Sequence, residues 1–295
     1  FSGYQGNILV PFSPEALLSG VNRTVTPNDT LYYRRHFTVP DSFLKEKTLL
    51  HFGAVDYECD VFINHLKVGS HTGGFFAFTL DISKAVQIGT NTIEVVVKDP
   101  SDTSYHARGK QSSNPAGIYY SPQSGIWQTV WMESVPAAFV EDLKIVPDID
   151  KDEVTVSVTT AAPEFTVKVL ENGTCLSEAS GTDCVALPMK DYQCWSPENP
   201  KLYDLEITAG KDTVTSYFGM RKFGVGPDEH GKQRLLLNNQ PYFHNGVLDQ
   251  GYWSDGMLTP PTKSAMEYDI QMLKSMGFNM IRKHIKVEPL YWYYL

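Results

Sequence analysis

Cysteine is scarce in this chain: four residues in 295, at Cys59, Cys175, Cys184 and Cys194. No two have C-x-x-C spacing and none clusters with histidine, so neither a zinc centre nor a dense disulfide framework organises the fold. Free thiols are the expectation; if a bridge forms, Cys175 and Cys184 are the pair, because a hairpin could set them opposite each other. Basic clusters are missing as well. With 25 Lys and Arg against 34 Asp and Glu, the net charge is -9. That leaves no cationic footprint for displacing counterions from a nucleic acid, and none to attract an anionic membrane surface. No apolar run reaches the length of a membrane-spanning helix. Phe1 opens the chain without a Met and without a secretion signal, so the start reads as trimmed and the compartment stays open. There is no internal repeat, no low-complexity stretch and no cluster of metal-ligating residues. No cofactor is expected, and a neutral partner suits the charge best.

What is present in abundance is β-sheet chemistry. Hydrophobic residues make up 42% of the chain and aromatics 12%, enough for a real core. Residues 1–136 read as short strands separated by turns. Leu31–Val39 alternates with period two and stops at Pro40; Thr48–Phe52, Asp60–Ile63 and Thr92–Lys98 follow, and Gly125–Glu133 closes the module. Asn64-His65 falls where a two-residue hairpin turn needs positive φ at both positions. Strands about ten residues apart point to a jelly roll or sandwich.

Residues 137–225 are again strand-rich, with an Asn172-Gly173 hairpin and about seven strands, which suits an immunoglobulin-like sandwich without the antibody Cys…Trp…Cys framework. Sequons at Asn22, Asn28 and Asn172 matter only in a glycosylating host.

From residue 226 the pattern changes. A hairpin at Asn238-Asn239 precedes a buried strand at 244–248. Thr262 N-caps an amphipathic helix over 263–276, with Met266, Ile270, Leu273 and Met276 toward the core, and Gly277 ends it. A second buried strand runs over 278–284, and a second helix begins near Val287-Glu288-Pro289. Strand, helix, strand implies a parallel pair with a right-handed crossover. Residues 226–295 therefore read as the start of a (β/α)8 barrel or as a tail packed on the preceding module.

In such a barrel the chemistry sits at the C-terminal strand ends. The first strand delivers Asp249 and Gln250, then Tyr252 and Trp253; the second delivers Arg282 and His284, with Lys286 just beyond. Rigid strands fix side chains well enough to recognise a ligand. This reading requires Asp249 and Arg282 to converge. Arg108, Lys110 and Gln111 read as an ordinary surface loop in preference to a reach toward the barrel mouth.

The run Gly246-Val247-Leu248-Asp249-Gln250-Gly251-Tyr252-Trp253, with Met276-Gly277-Phe278-Asn279-Met280-Ile281-Arg282-Lys283-His284, resembles the opening of the catalytic barrel of glycoside hydrolase family 2. Upstream, Val10-Pro11-Phe12, Tyr33-Arg34-Arg35, Gly73-Gly74 and Gly125-Ile126-Trp127 resemble its N-terminal jelly roll, and Phe218-Gly219-Met220-Arg221 the end of its immunoglobulin-like module. The resemblance implies a retaining β-glycosidase acting on O-glycosidic bonds of carbohydrates, β-galactosidase-like in first expectation. One glutamic acid protonates the leaving oxygen and another, about 5 Å away, attacks the anomeric carbon. It also implies that Asp249, Arg282 and His284, with Gln250, Tyr252, Trp253 and Lys286, grip the sugar. The family's acid/base follows an Asn on the fourth barrel strand. This sequence contains no Asn-Glu dipeptide, so the expectation is a non-catalytic front portion, inactive alone, with both reactive glutamates beyond residue 295. The run Arg282-Lys283-His284 departs from the spacing common in the family.

The competing readings are a stand-alone carbohydrate-binding protein and an adhesion array of β-sandwiches. The strand–helix–strand tail separates them, since neither has use for barrel strands ending in Asp, Arg and His. Apolar strand edges and the aromatic run Tyr291-Trp292-Tyr293-Tyr294 would invite self-association into a homo-oligomer.

Overall fold

The computed structural model describes residues 5–295. It is a mostly β protein that divides into two compact units: the residues up to Ser134 together with Gly246–Leu295, and Val135–Asn245.

The first unit holds the jelly roll. Its strands are β1 (Leu31–Val39), β2 (Lys47–Phe52), β3 (Val55–Asp56), β4 (Glu58–Ile63), β5 (Leu66–Thr72), β6 (Phe78–Asp81), β7 (Gly89–Lys98), β8 (Gly125–Ile126) and β9 (Val130–Val135). One sheet has the order β1-β7-β4-β5, a second β6-β2-β9, and β3 pairs with β8. Alternating residues such as Cys59, Val61, Ile63, Val95 and Val97 point into one core with Phe52, Ile82 and Ile126. The β4–β5 turn is formed by Asn64 and His65, both at positive φ, as that dipeptide predicts.

The second unit is a seven-stranded sandwich of immunoglobulin type. Strands β10 (Val140–Asp148), β11 (Glu153–Thr160) and β14 (Cys184–Pro188) form one sheet; β12 (Phe165–Glu171), β13 (Thr174–Gly181), β15 (Tyr203–Ala209) and β16 (Asp212–Phe218) form the other. Val154, Val156, Val167, Val169, Leu187, Leu205 and Ile207 close the core from both sides. Asn172 and Gly173 make the positive-φ turn between β12 and β13. Cys175 lies on β13 and Cys184 on β14, in different sheets, and all four cysteines are free thiols.

The hairpin read from the sequence as the opening of the barrel lies instead with this sandwich. Strands β17 (Phe223–Pro227), β18 (Gln233–Leu237) and β19 (Gln240–Pro241) form a three-stranded sheet. Its Asn238 Nδ2 donates to Trp195 O at 2.9 Å and Asn239 Nδ2 to Asp150 Oδ1 at 2.8 Å, which ties the turn to sandwich loops.

The barrel pattern begins at Gly246. Strand β20 (Gly246–Asp249), helix α1 (Lys263–Ser275) and strand β21 (Met280–Lys283) form a parallel β-α-β unit, followed by the short helix α2 (Leu290–Tyr294). Both ends of α1 are as the sequence specifies. Thr262 Oγ1 accepts from Ala265 N at 3.0 Å. At the C-terminus, Gly277 at φ 87° donates to Lys274 O at 3.0 Å and Phe278 donates to Leu273 O at 3.1 Å, a Schellman arrangement. Two expectations fail here. Met276 is 63% exposed, because it is the C-cap residue and leaves the helix before its side chain can follow the apolar stripe. The two strands are half-exposed instead of buried, Leu248 being 53% exposed, since each has a single partner strand among the described residues.

The loop after β20 is packed on the jelly roll. Leu258 joins Ala54, Phe75 and Trp127 in one buried cluster, and Met257 joins Phe12 and Ala16 in another; Tyr252 packs against both. Polar bonds fix the register: Leu258 N donates to Gln123 Oε1 at 3.1 Å, and Thr259 Oγ1 donates to Trp127 O at 2.7 Å.

Candidate functional site

A pocket of about 340 Å³ opens at the C-terminal ends of β20 and β21. Asp249, Gln250, Gly251, Tyr252 and Trp253 supply one wall, Lys283 and Glu288 the floor, and Asp269 of α1 and Trp292 of α2 the far side; Tyr120 reaches in from the jelly roll.

The floor is a chain of alternating charges. Asp249 Oδ2 accepts from Lys283 Nζ at 2.5 Å, Lys283 Nζ also meets Glu288 Oε1 at 2.7 Å, and Lys286 Nζ meets the same oxygen at 2.9 Å. The side chain of Lys286 is 0% exposed and that of Glu288 1% exposed. Charges this deep are retained only when paired and hydrogen-bonded. Lys286 gains a further bond to Gly251 O at 2.8 Å. Burial still pulls its ammonium down to about 8, with Glu288 opposing. Asp269 is shifted upward, first by burial and then by the charge of Asp249. The Lys283 ammonium lies 4.4 Å from the centroid of Trp292, a cation–π contact.

Gly251 is the keystone of this floor. It sits at φ +59°, its N–H donates to Asp249 Oδ1 at 2.7 Å, and a Cβ there would come within 2.5 Å of Glu288 Oε1 and 2.8 Å of Lys283 Nζ. The aromatic wall is fixed from the jelly roll. Tyr252 donates its hydroxyl to Ser121 O at 2.9 Å, and its ring stacks on Tyr120 at 4.2 Å between centroids. Burial pushes the Tyr252 phenol upward. Three polar atoms of pocket-lining residues are buried without a protein partner: Gln250 Oε1, Trp253 Nε1 and Glu288 Oε2.

The sequence-derived set is thus brought together in part. Asp249, Gln250, Tyr252 and Trp253 line one pocket, and Lys286 lies directly beneath them. His284 enters through its backbone, donating N–H to Asp249 O at 2.9 Å. Arg282 does not converge with Asp249, so the convergence expected from the sequence fails, and the barrel reading stands on the parallel β-α-β unit instead. In the parallel register Asp249 faces Lys283 while Arg282 faces Leu248, so the period-two alternation turns Arg282 to the opposite, exposed face. Gln111 is not a surface residue either: it is buried, its Nε2 donating to Asp56 Oδ2 at 3.0 Å. Lys283, Glu288, Asp269, Trp292 and Tyr120 were not singled out for the site from sequence. Strand periodicity could have found Lys283, the alternate of Arg282; Tyr120 has no local signal, because 131 residues separate Ser121 from the Tyr252 hydroxyl it accepts from.

Comparison with known proteins bears on this architecture. Residues 14–132 match the family described as glycosyl hydrolases family 2, sugar binding domain, and residues 138–221 match glycosyl hydrolases family 2, together more than half of the chain. The chain belongs to glycoside hydrolase family 2. Among its relatives, a β-galactosidase of Arthrobacter sp. (strain B7) is 26% identical, with 92% of this chain and 25% of the relative aligned. A β-galactosidase of Thermoanaerobacter pseudethanolicus is 28% identical over 85% of this chain and 36% of the relative. The solved β-D-glucuronidase of Dictyoglomus thermophilum shares the fold, with a TM-score of 0.78 at 24% identity, covering 92% of this chain and 49% of that one. The family 2 chain therefore spans about a quarter to a half of the length of these relatives.

Proposed function

We propose that this chain is the front portion of a retaining β-glycosidase, in which the jelly roll and the first two barrel strands build one side of the sugar pocket. The observation that carries the reading is the clustering of Asp249, Gln250, Tyr252 and Trp253 around one pocket at the C-terminal end of a parallel strand pair. Relatives named β-galactosidase and the fold shared with a β-glucuronidase support it. Polar atoms and aromatic faces side by side suit a sugar, which offers hydroxyls on its rim and C–H groups on its faces.

In this reading the chain does not itself cleave glycosides. Retention needs two carboxyls about 5 Å apart across the anomeric carbon, one of them able to give up a proton. Glu288 is buried and bonded to two lysines, and Asp249 is bonded to Lys283. Neither is free for those roles, and no Asn-Glu dipeptide occurs in the chain. Catalytic carboxylates would come from later barrel strands. The test is an assay of the purified 295-residue chain beside the complete product of its gene, on 4-nitrophenyl β-glycosides. The complete product is expected to release nitrophenol with retention at the anomeric carbon, seen by NMR, and the chain alone to release none. A complete product inactive on all β-glycosides overturns the reading.

A further inference from the structure

We propose that Asp56 and Asp99 form a proton-controlled latch inside the jelly roll, which acts through Gln111 and Gln123 to position the loop after β20. The latch holds the loop while the two acids keep their protons and releases it when they ionise. It stands independently of the glycosidase reading, because it rests on the joint between jelly roll and loop alone.

A continuous chain of hydrogen bonds runs from the acid to the loop. Asp56 Oδ2 accepts from Gln111 Nε2 at 3.0 Å, Gln111 Oε1 accepts from Gln123 N at 2.7 Å, and Gln123 Oε1 accepts from Leu258 N at 3.1 Å. Asp56, Gln111, Gln123 and Leu258 are all buried, so no link is freely exchanged for a bond to bulk water. A second route runs beside the first. Asp99 Oδ2 accepts from Ser124 Oγ at 2.7 Å and Glu15 Oε2 accepts from Ser124 N at 3.1 Å, which pins the residue after Gln123. Gln111 also bridges to Tyr120, whose ring stacks on Tyr252 of the loop. Residues 111–124 are thus the connector between the acids and the loop.

The charge around the acids makes that connector sensitive to their protons. The titratable groups that face Asp56 are Asp99 and Glu15, both acids; Asp99 faces His106, and Glu15 faces the phenols of Tyr33 and Tyr252. Asp56 Oδ1 meets no donor, and Gly74 lies so close that a Cβ there would fall 2.5 Å from it. An ionised Asp56 would therefore carry charge on an oxygen without a partner, with a second acid nearby. Burial, then the charge of Asp99, pushes Asp56 up to about 8, and burial raises Asp99 as well. Ionisation is relieved by admitting water, and local opening of the connector admits it. The protonated acid favours the closed latch. Its contribution is complete below the ordinary aspartate value and is lost as pH rises through about 8.

The test is amide hydrogen exchange of the intact 295-residue chain at about pH 6 and about pH 9, read by mass spectrometry and corrected for the intrinsic pH dependence of exchange. The peptide holding Leu258 is expected to lose about tenfold in protection at the higher pH, the factor by which an ionised group outnumbers its protonated form one unit above its folded value. The amides of β4 and β7 are expected to keep theirs. Asp56→Asn stays neutral and keeps an acceptor for Gln111, so its Leu258 peptide is expected to stay protected at both pH values. Infrared spectroscopy needs no variant: at about pH 6 ordinary carboxyls are ionised, so a protonated-carboxyl C=O band is expected there and is expected to shrink by about pH 9. Equal protection of Leu258 at both pH values, a loss shared by β4 and β7, an Asp56→Asn chain with the parent's pH response, or absence of the infrared band overturns the proposal.

Discussion

Glu288 and Asp56 are the residues whose chemistry is most dictated by where they sit. Glu288 accepts from two lysines with its side chain almost wholly shielded. Replacing it by Gln keeps the shape but leaves buried ammonium groups short of a counter-charge, a change that costs on the order of 3 kcal/mol in other proteins. Glu288→Gln is therefore expected to lose about that much in urea unfolding, and an effect below about 1 kcal/mol would show that the floor is not held by charge. Asp56 belongs to a different buried group, in the jelly roll. Burial, with the neighbouring charge of Asp99, pushes it up to about 8, and burial pushes Glu15 up to about 7. A carboxyl that keeps its proton in the fold and releases it on unfolding stabilises the fold fully below its ordinary value. That contribution fades as pH rises toward the folded value. Thermal stability is expected to fall between about pH 5 and pH 8, and Asp56→Asn to flatten the slope by removing the proton uptake. An unchanged slope in the variant would contradict the assignment.

At the level of elements, what the sequence announced was local and what it concealed was not. The turns at Asn64-His65, Asn172-Gly173 and Asn238-Asn239 all take positive φ at both positions, because their geometry needs only the two residues that form it. The same holds for α1. Thr262→Ala and Gly277→Ala are each expected to cost about 1 kcal/mol, by loss of the cap bond and by forcing a Cβ into the left-handed region; chemical denaturation of each variant measures this. The face on which Arg282 lies is not legible in the sequence, because a shift of one residue in strand register moves every side chain across the sheet, and register is set by packing with β20 rather than by composition. Tyr120 and Gln123 were invisible for a related reason: they meet Tyr252 and Leu258 only after the jelly roll has folded. The hairpin at Asn238-Asn239 was legible as a hairpin, but its membership in the unit with the sandwich depends on bonds to Trp195 and Asp150 far upstream.

Within the unit that holds it, the pocket is a joint product of jelly roll and barrel strands. The loop after β20 shares two apolar clusters with jelly-roll residues, and the Tyr120–Tyr252 stack brings the two folds to one wall. Loosening that wall should therefore act on ligand binding from the non-barrel side. Tyr120→Ala is expected to weaken sugar binding several-fold with little effect on the unfolding midpoint, and a variant that binds as the parent does would reduce the jelly roll to a scaffold. The decisive measurement is a crystal structure of the chain soaked in a β-galactoside. The account predicts the sugar between Asp249, Gln250 and Trp253 with Tyr120 beside it; sugar density confined to any other surface of the protein would contradict it.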